Sequence, residues 1–241
     1  GEALGWRIAF AGIAGVGVVA MLLLRFALPS LPAAEGGDMR AELGVLTRRP
    51  VLLALALTVV GASAMFTVFT YIVPILREET QASTGFVTAM LVFYGIGLTI
   101  GNMVDGRLAD RSVERTLVGS FLVLAAVLVA FAGVMHWPVP VAIAILIWGI
   151  ASFAIVPPLQ MRVMEAAAEA PNLASAMNIG AFNLGNAIGA ALGGGVIGAG
   201  WGYPAVSLAG AAMAAAALVM LFAVRDRPAR RSGSSSPIAQ H

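Results

Sequence analysis

Long apolar runs separated by short polar connectors set the pattern of this chain. Seven stretches carry almost no charge: 8–28, 51–75, 86–104, 117–135, 139–159, 173–198 and 204–224. Each approximates the roughly 20 apolar residues that cross the hydrocarbon core of a bilayer. They are apolar nearly all round, so hydropathy rather than amphipathic period assigns them. Within a bilayer each span must satisfy its own backbone, which leaves helices or closed barrels. Barrel strands alternate polar and apolar residues over runs of about ten, and no such alternation occurs. The pattern predicts an all-α integral membrane fold with seven transmembrane helices.

The longest connector, 29–50, opens with Pro, Gly and Ala. Asp38 then caps a short helix that places Met39, Leu43 and Leu46 on one face and Arg40, Glu42, Arg48 and Arg49 elsewhere. That is the signature of a helix lying on the membrane surface. The tail, 225–241, is rich in Arg, Ser and Pro and is expected to be disordered. Spans 51–135 and 139–224 form two triplets that cross the membrane in opposite senses, an inverted three-helix repeat of the kind used by transporters.

Composition sharpens this. Hydrophobic residues make up 60% and charged residues 11%, against roughly a quarter charged in a soluble domain. Cysteine is absent, which removes disulfides and thiolate chemistry. Lysine is absent too, so a Schiff base is excluded. The 14 cations are all arginines, and they are segregated. Arg25, Arg40, Arg48, Arg49, Arg107, Arg111, Arg115, Arg162, Arg225, Arg227, Arg230 and Arg231 fall on one side, and only Arg7 and Arg77 on the other. The positive-inside rule puts the rich side, with the C-terminus, in the cytoplasm. The net charge of +2 therefore reflects topology and not a nucleic-acid partner. The chain starts without Met or a signal-peptide pattern, and its first residues fall outside. It reads as a fragment whose upstream spans are missing.

Asp, Glu and Arg are absent from the middle of every span, and His136 and His241 are peripheral. Proton-relay, hydrolytic and metal chemistry therefore have no residues at membrane depth. No enzyme activity, metal or cofactor is expected. Neutral polar residues remain. Ser63, Thr67, Thr70 and Tyr71 form one helical stripe, flanked by Phe66 and Phe69. Tyr94 lies on the third span. Trp148 and Ser152 stand one turn apart on the fifth, ahead of Pro157 and Pro158, which must kink or unwind it. Asn178, Asn183 and Asn186 follow on the sixth. These are candidates for a substrate cavity with aromatic walls, or for hydrogen bonds between helices. An unpaired buried Asn is costly, so Asn183 and Asn186 are expected to have partners. Ala181, Gly185, Gly189 and Gly193 at four-residue spacing, with Gly97 and Gly101 on the third span, permit close helix approach or flexing.

The densest polar feature is the hinge from Gly101 to Leu117, with Asp105, Arg107, Asp110, Arg111, Glu114 and Arg115. Its Gly106-Arg107-Leu108-Ala109-Asp110-Arg111, followed by Arg115, resembles the Gly-x-Leu-Ala-Asp-Arg-x-Gly-Arg-Arg loop of the major facilitator superfamily. Gly5-Trp6-Arg7, Phe69-Thr70-Tyr71-Ile72-Val73-Pro74 and Asn183-Leu184-Gly185-Asn186 are similar to landmarks of its drug:proton antiporter group, near arabinose efflux permease and purine-nucleoside exporters. The resemblance implies the sixth to twelfth spans of a twelve-span transporter. Residues 1–28 would be the last span of the N-terminal bundle, 29–50 the central cytoplasmic loop, and 51–224 the C-terminal six-helix bundle. It implies alternating access in a bacterial inner membrane, a small-molecule substrate, the proton as coupling ion and a monomer when full length. It also implies that Gly106, Arg107, Asp110, Arg111 and Arg115 form a cytoplasmic gate. Val113 replaces the usual Gly and Glu114 a base, which weakens that lock. Proton-coupled efflux of drugs, sugars or nucleosides is the expected function. Sugar or nucleoside import, and a non-transporting membrane receptor, are the alternatives.

Overall fold

The computed structural model describes residues 5–27, 44–109 and 111–225. Every regular element among them is helical. Helix α1 (Gly5–Ala27), apolar from Phe10 to Phe26, belongs to a separate compact unit. The other unit contains α2 (Arg49–Phe69), α3 (Ile72–Glu78), α4 (Thr84–Ala109), α5 (Val113–Val134), α6 (Pro138–Phe153), α7 (Val156–Ala166), α8 (Pro171–Gly198) and α9 (Gly202–Arg225).

Among the described residues five helical stretches are long and apolar enough to span a bilayer: Arg49–Glu78, Thr84–Val104, Val113–Val134, Pro138–Ala166 and Gly202–Ala223. The other two expected spans are helical as well. The apolar part of α1 is short, and α8, at 28 residues, is diluted by glycine and asparagine.

Two expected spans are broken, and proline explains both. A proline has no N–H for the carbonyl four residues earlier, and its ring collides with that carbonyl. Pro74 thus disrupts the ladder at Thr70, and the chain breaks at Thr70–Tyr71, so 51–75 is not one helix. Pro157 and Pro158 act on Phe153 and Ala154, and the second break falls at Ala154–Ile155. Both prolines then sit in the first turn of α7, where no N–H is required. The turn into α9 uses Gly200 and Gly202 at φ +76° and +77°, a left-handed backbone that favours glycine.

Helix α2 packs along α8, α4 along α6, and α9 against both α5 and α2. The core gathers Phe121, Leu124, Leu128, Phe131, Ile145 and Trp148, all fully buried. Outward faces stay apolar, with Leu122, Val129, Ile143, Val219 and Phe222 exposed. Water would not tolerate so continuous an apolar surface, whereas lipid chains match it.

A smaller cluster joins Val45 and Leu46 to Val51, Ala54, Val163, Ala167, Ala170 and Ala174. Beside it the Arg48 guanidinium donates to both Glu169 carboxylate oxygens at 2.8 Å. Leu46, expected to face lipid on a surface helix, is instead buried against protein, because the α7–α8 corner offers an apolar seat next to a charge partner. The rest of that expected helix and the tail 226–241 lie outside the described residues.

Candidate substrate-facing surface

Glycines define how closely the helices approach. A Cβ on Gly189 would stand 2.6 Å from the Ser63 carbonyl oxygen, and one on Gly193 would meet the Tyr71 ring at 2.6 Å. Gly97 is equally tight against α6, 2.6 Å from the Leu146 oxygen, and Gly101 abuts the Ile150 carbonyl. Gly149 returns the contact from α6, 2.6 Å from the Tyr94 oxygen. Two seams therefore form, α2 on α8 and α4 on α6, each through a glycine edge. Helix α8 runs unbroken through Gly185, Gly189 and Gly193.

The polar stripe of α2 lies in the first seam. Ser63 and Thr67 are fully buried. The Ser63 hydroxyl bonds the Val59 oxygen at 2.8 Å and the Gly185 oxygen at 3.0 Å, and Thr67 donates to the Ser63 oxygen at 2.7 Å. The Tyr71 hydroxyl donates to the Ala190 oxygen at 2.8 Å. Thr70 is exposed and bonds its own helix at Phe66. In this structure Ser63 and Tyr71 of the stripe join two helices.

A second polar group links α2, α7 and α8. Thr58 donates to Asn178 Oδ1 at 2.8 Å, Asn178 Nδ2 donates to Gln160 Oε1, and Gln160 Nε2 donates to Ser175 Oγ at 2.8 Å. Gln160 escaped the sequence reading because it lies just past the expected end of its span. The prolines before it were the available signal, since they start a fresh helix that carries it inward.

Aromatic rings make a continuous path. Phe182 of α8 meets Phe66 edge-on at 5.6 Å, and Phe66 meets Phe69 at 6.0 Å. Phe69 stacks on Tyr94 at 5.0 Å, Tyr94 lies 4.7 Å from Trp148, and Trp148 lies 6.0 Å from Phe131. The path begins at half-buried Phe66, Phe69 and Phe182 and ends in the core. There the Trp148 indole nitrogen and the Ser152 hydroxyl are buried without a hydrogen-bond partner among the described residues. The Tyr94 hydroxyl lies beside Ser152, but the pair does not reach hydrogen-bond geometry. Asn186, one turn from Phe182, is half-buried and bonds no described residue, contrary to expectation. Its half-exposed position means that it is not sealed inside the bundle, where an unpaired amide is most costly. Exposed Asn183 bonds the Ile179 oxygen at 3.0 Å.

At the hinge, Ser112 caps α5 by accepting from the Arg115 N–H at 3.3 Å. Arg111 and Arg115 are exposed. Asp110 lies outside the described residues, as do the side chains of Asp105 and Arg107.

The architecture matches solved transporters. A crystal structure of the major facilitator transporter FucP in the outward conformation superposes with a TM-score of 0.62 at 18% identity, covering 88% of this chain and 53% of that one. The inner membrane transport protein YdhP of Escherichia coli K12 is 51% identical over 229 residues, 95% of this chain and 59% of YdhP. The MFS-type transporter YfhI of Bacillus subtilis 168 is 33% identical over 220 residues, 91% of this chain and 55% of YfhI. The chain thus spans between half and two thirds of these relatives. The family model of the Major Facilitator Superfamily matches residues 1–180 and, in an overlapping stretch, 55–240. With a glycine-seamed helical fold, a neutral aromatic path and these matches together, the chain belongs to the major facilitator superfamily.

Proposed function

We propose that this chain is the C-terminal part of a proton-coupled exporter of small organic molecules working by alternating access. Residues 51–224 act as one bundle built from two inverted triplets. The seams support that reading: the first helix of each triplet packs on the second helix of the other, through glycines each time. The arginine asymmetry supports a cytoplasmic C-terminus in an inner membrane.

One observation carries the substrate class. The aromatic path leads from half-buried Phe66 and Phe182 to Trp148 and Ser152, whose polar atoms are buried and unpartnered. Leaving such groups unpaired costs about 1–3 kcal/mol each, which a ligand acceptor reaching them in another conformation would recover. An apolar or aromatic molecule carrying a neutral hydrogen-bond acceptor fits. The described spans contribute no carboxylate at membrane depth, so the coupling group belongs to the remainder of the protein.

Full-length protein in energised everted vesicles tests this. Drug or nucleoside accumulation should collapse with a protonophore, and Trp148→Phe, which keeps a ring but removes the N–H, should raise KM about tenfold, as loss of one hydrogen bond allows. Accumulation that survives the protonophore rejects proton coupling. An unchanged KM rejects the Trp148 contact.

A further inference from the structure

An apolar groove of about 450 Å³ opens between α4, α5 and α6 at their arginine-rich ends. Its size lies within the roughly 300–1,000 Å³ of ligand sites. Leu108 of α4, Val123 of α5 and Ile150 of α6 supply walls. Gly119 lies along it with nothing within 4 Å of the place its Cβ would occupy. At the mouth stand Arg111 and Arg115, both exposed. Neither forms an ion pair with any described carboxylate. Glu114, between them in sequence, lines a different recess with Arg162 and Glu165.

We propose that this groove holds an acyl chain of an anionic phospholipid whose phosphate is bound by Arg111 and Arg115. The walls suit a hydrocarbon chain. Guanidinium groups recognise phosphate with paired N–H donors. The cations sit where α4 ends and α5 begins, the level at which a spanning helix meets headgroups. Basic pockets between spanning helices are the usual setting for such lipids. The groove and the charges are contiguous, so one molecule satisfies both. A soluble phosphate would use only the arginines, and a neutral detergent only the walls.

Charge complementarity predicts a gain of about fivefold in affinity per arginine over a zwitterionic lipid. The test uses full-length protein in detergent, with bound lipids counted by native mass spectrometry during titration. Dioleoylphosphatidylglycerol should bind one site in clear preference to dioleoylphosphatidylcholine. The double variant Arg111→Gln/Arg115→Gln should weaken that site about 25-fold. Gly119→Phe, which fills the groove and leaves both guanidiniums, should weaken it comparably. Arg77→Gln, at the opposite end of the helices, should change nothing. Glycerol phosphate in millimolar excess should fail to displace the lipid.

Equal retention of the two lipids overturns the proposal, as does preference that survives both the double variant and Gly119→Phe. Displacement by glycerol phosphate would reassign the arginines to a free anion. Absence of any retained lipid from the folded full-length protein would mean that the rest of the polypeptide covers the groove, which also overturns it.

Discussion

At Gly189 an added methyl would stand 2.6 Å from the Ser63 oxygen and 2.9 Å from the Thr67 nitrogen, backbone atoms that yield only if α2 and α8 separate. Gly189→Ala should therefore destabilise the protein by about 1–3 kcal/mol, the usual cost of overpacking. Gly195→Ala on the same helix meets nothing within 4 Å. It should be neutral or stabilising by up to about 1 kcal/mol, since alanine is the better helix former. Thermal unfolding in detergent separates the two, and equal losses would place the effect in the helix and not in the seam. Asn178 poses a different question, because it is both donor and acceptor in a buried chain from Thr58 to Gln160. A double-mutant cycle with Asn178→Leu and Gln160→Met should give a coupling of about 0.6 kcal/mol, the average for hydrogen bonds between membrane helices. Zero coupling would make this network ornamental. Residue types were legible here while directions were not: a Ser-Thr-Tyr stripe reads the same whether it faces a cavity or a glycine edge. Only the identity of the facing helix decides, and residues 63 and 185 are far apart in the chain.

Helices as units were far more legible. Every expected span is matched by helix, because apolar length and the absence of internal charge determine it almost alone. The broken helices were half legible: Pro157 and Pro158 announced one interruption, whereas Pro74 lay inside the expected span 51–75 and in fact sits in the first turn of a further helix, α3. The seating of a strap before α2, residues 45–48 held at the α7–α8 corner, was not legible, since a segment with Leu46 on an apolar face looks equally suited to lipid and to a protein seat. Its ion pair makes a pH prediction. The Arg48 guanidinium, bonded to Glu169, holds that carboxyl below its ordinary range, and Glu169 in turn raises Arg48. A depressed carboxylate contributes above its unfolded pKa and loses its contribution as pH falls through the folded value. Arg48 stays charged throughout, so the strap should persist at neutral pH and loosen only in acid, below the ordinary Glu range near 4.3. Both groups are exposed, so high salt should loosen it as well. At neutral pH Glu169→Gln should imitate acid, seen as faster hydrogen exchange of the Arg48 and Leu52 amides. Unchanged exchange would assign the anchoring to Val45 and Leu46 alone.

For the whole molecule, the family follows from the fold and from relatives that agree over nearly the entire chain. Cargo and direction do not follow, because neutral side chains recognise many molecules and the relatives extend well beyond this stretch. The interrupted helices bear on how such a machine could move. Helix α2 is a rod of 21 residues with a tip of 7, and α6 a rod of 16 with a tip of 11. One tip carries Arg77 and lies near the arginine-poor surface, and the other carries Arg162 and lies near the arginine-rich surface. Each break leaves carbonyls that no backbone N–H four residues on can claim, and at the second the Ser120 hydroxyl donates to the Ala154 oxygen instead. The bundle thus has unequal levers with their elbows toward opposite faces of the bilayer. Such an arrangement gives each face of the bilayer one interrupted helix.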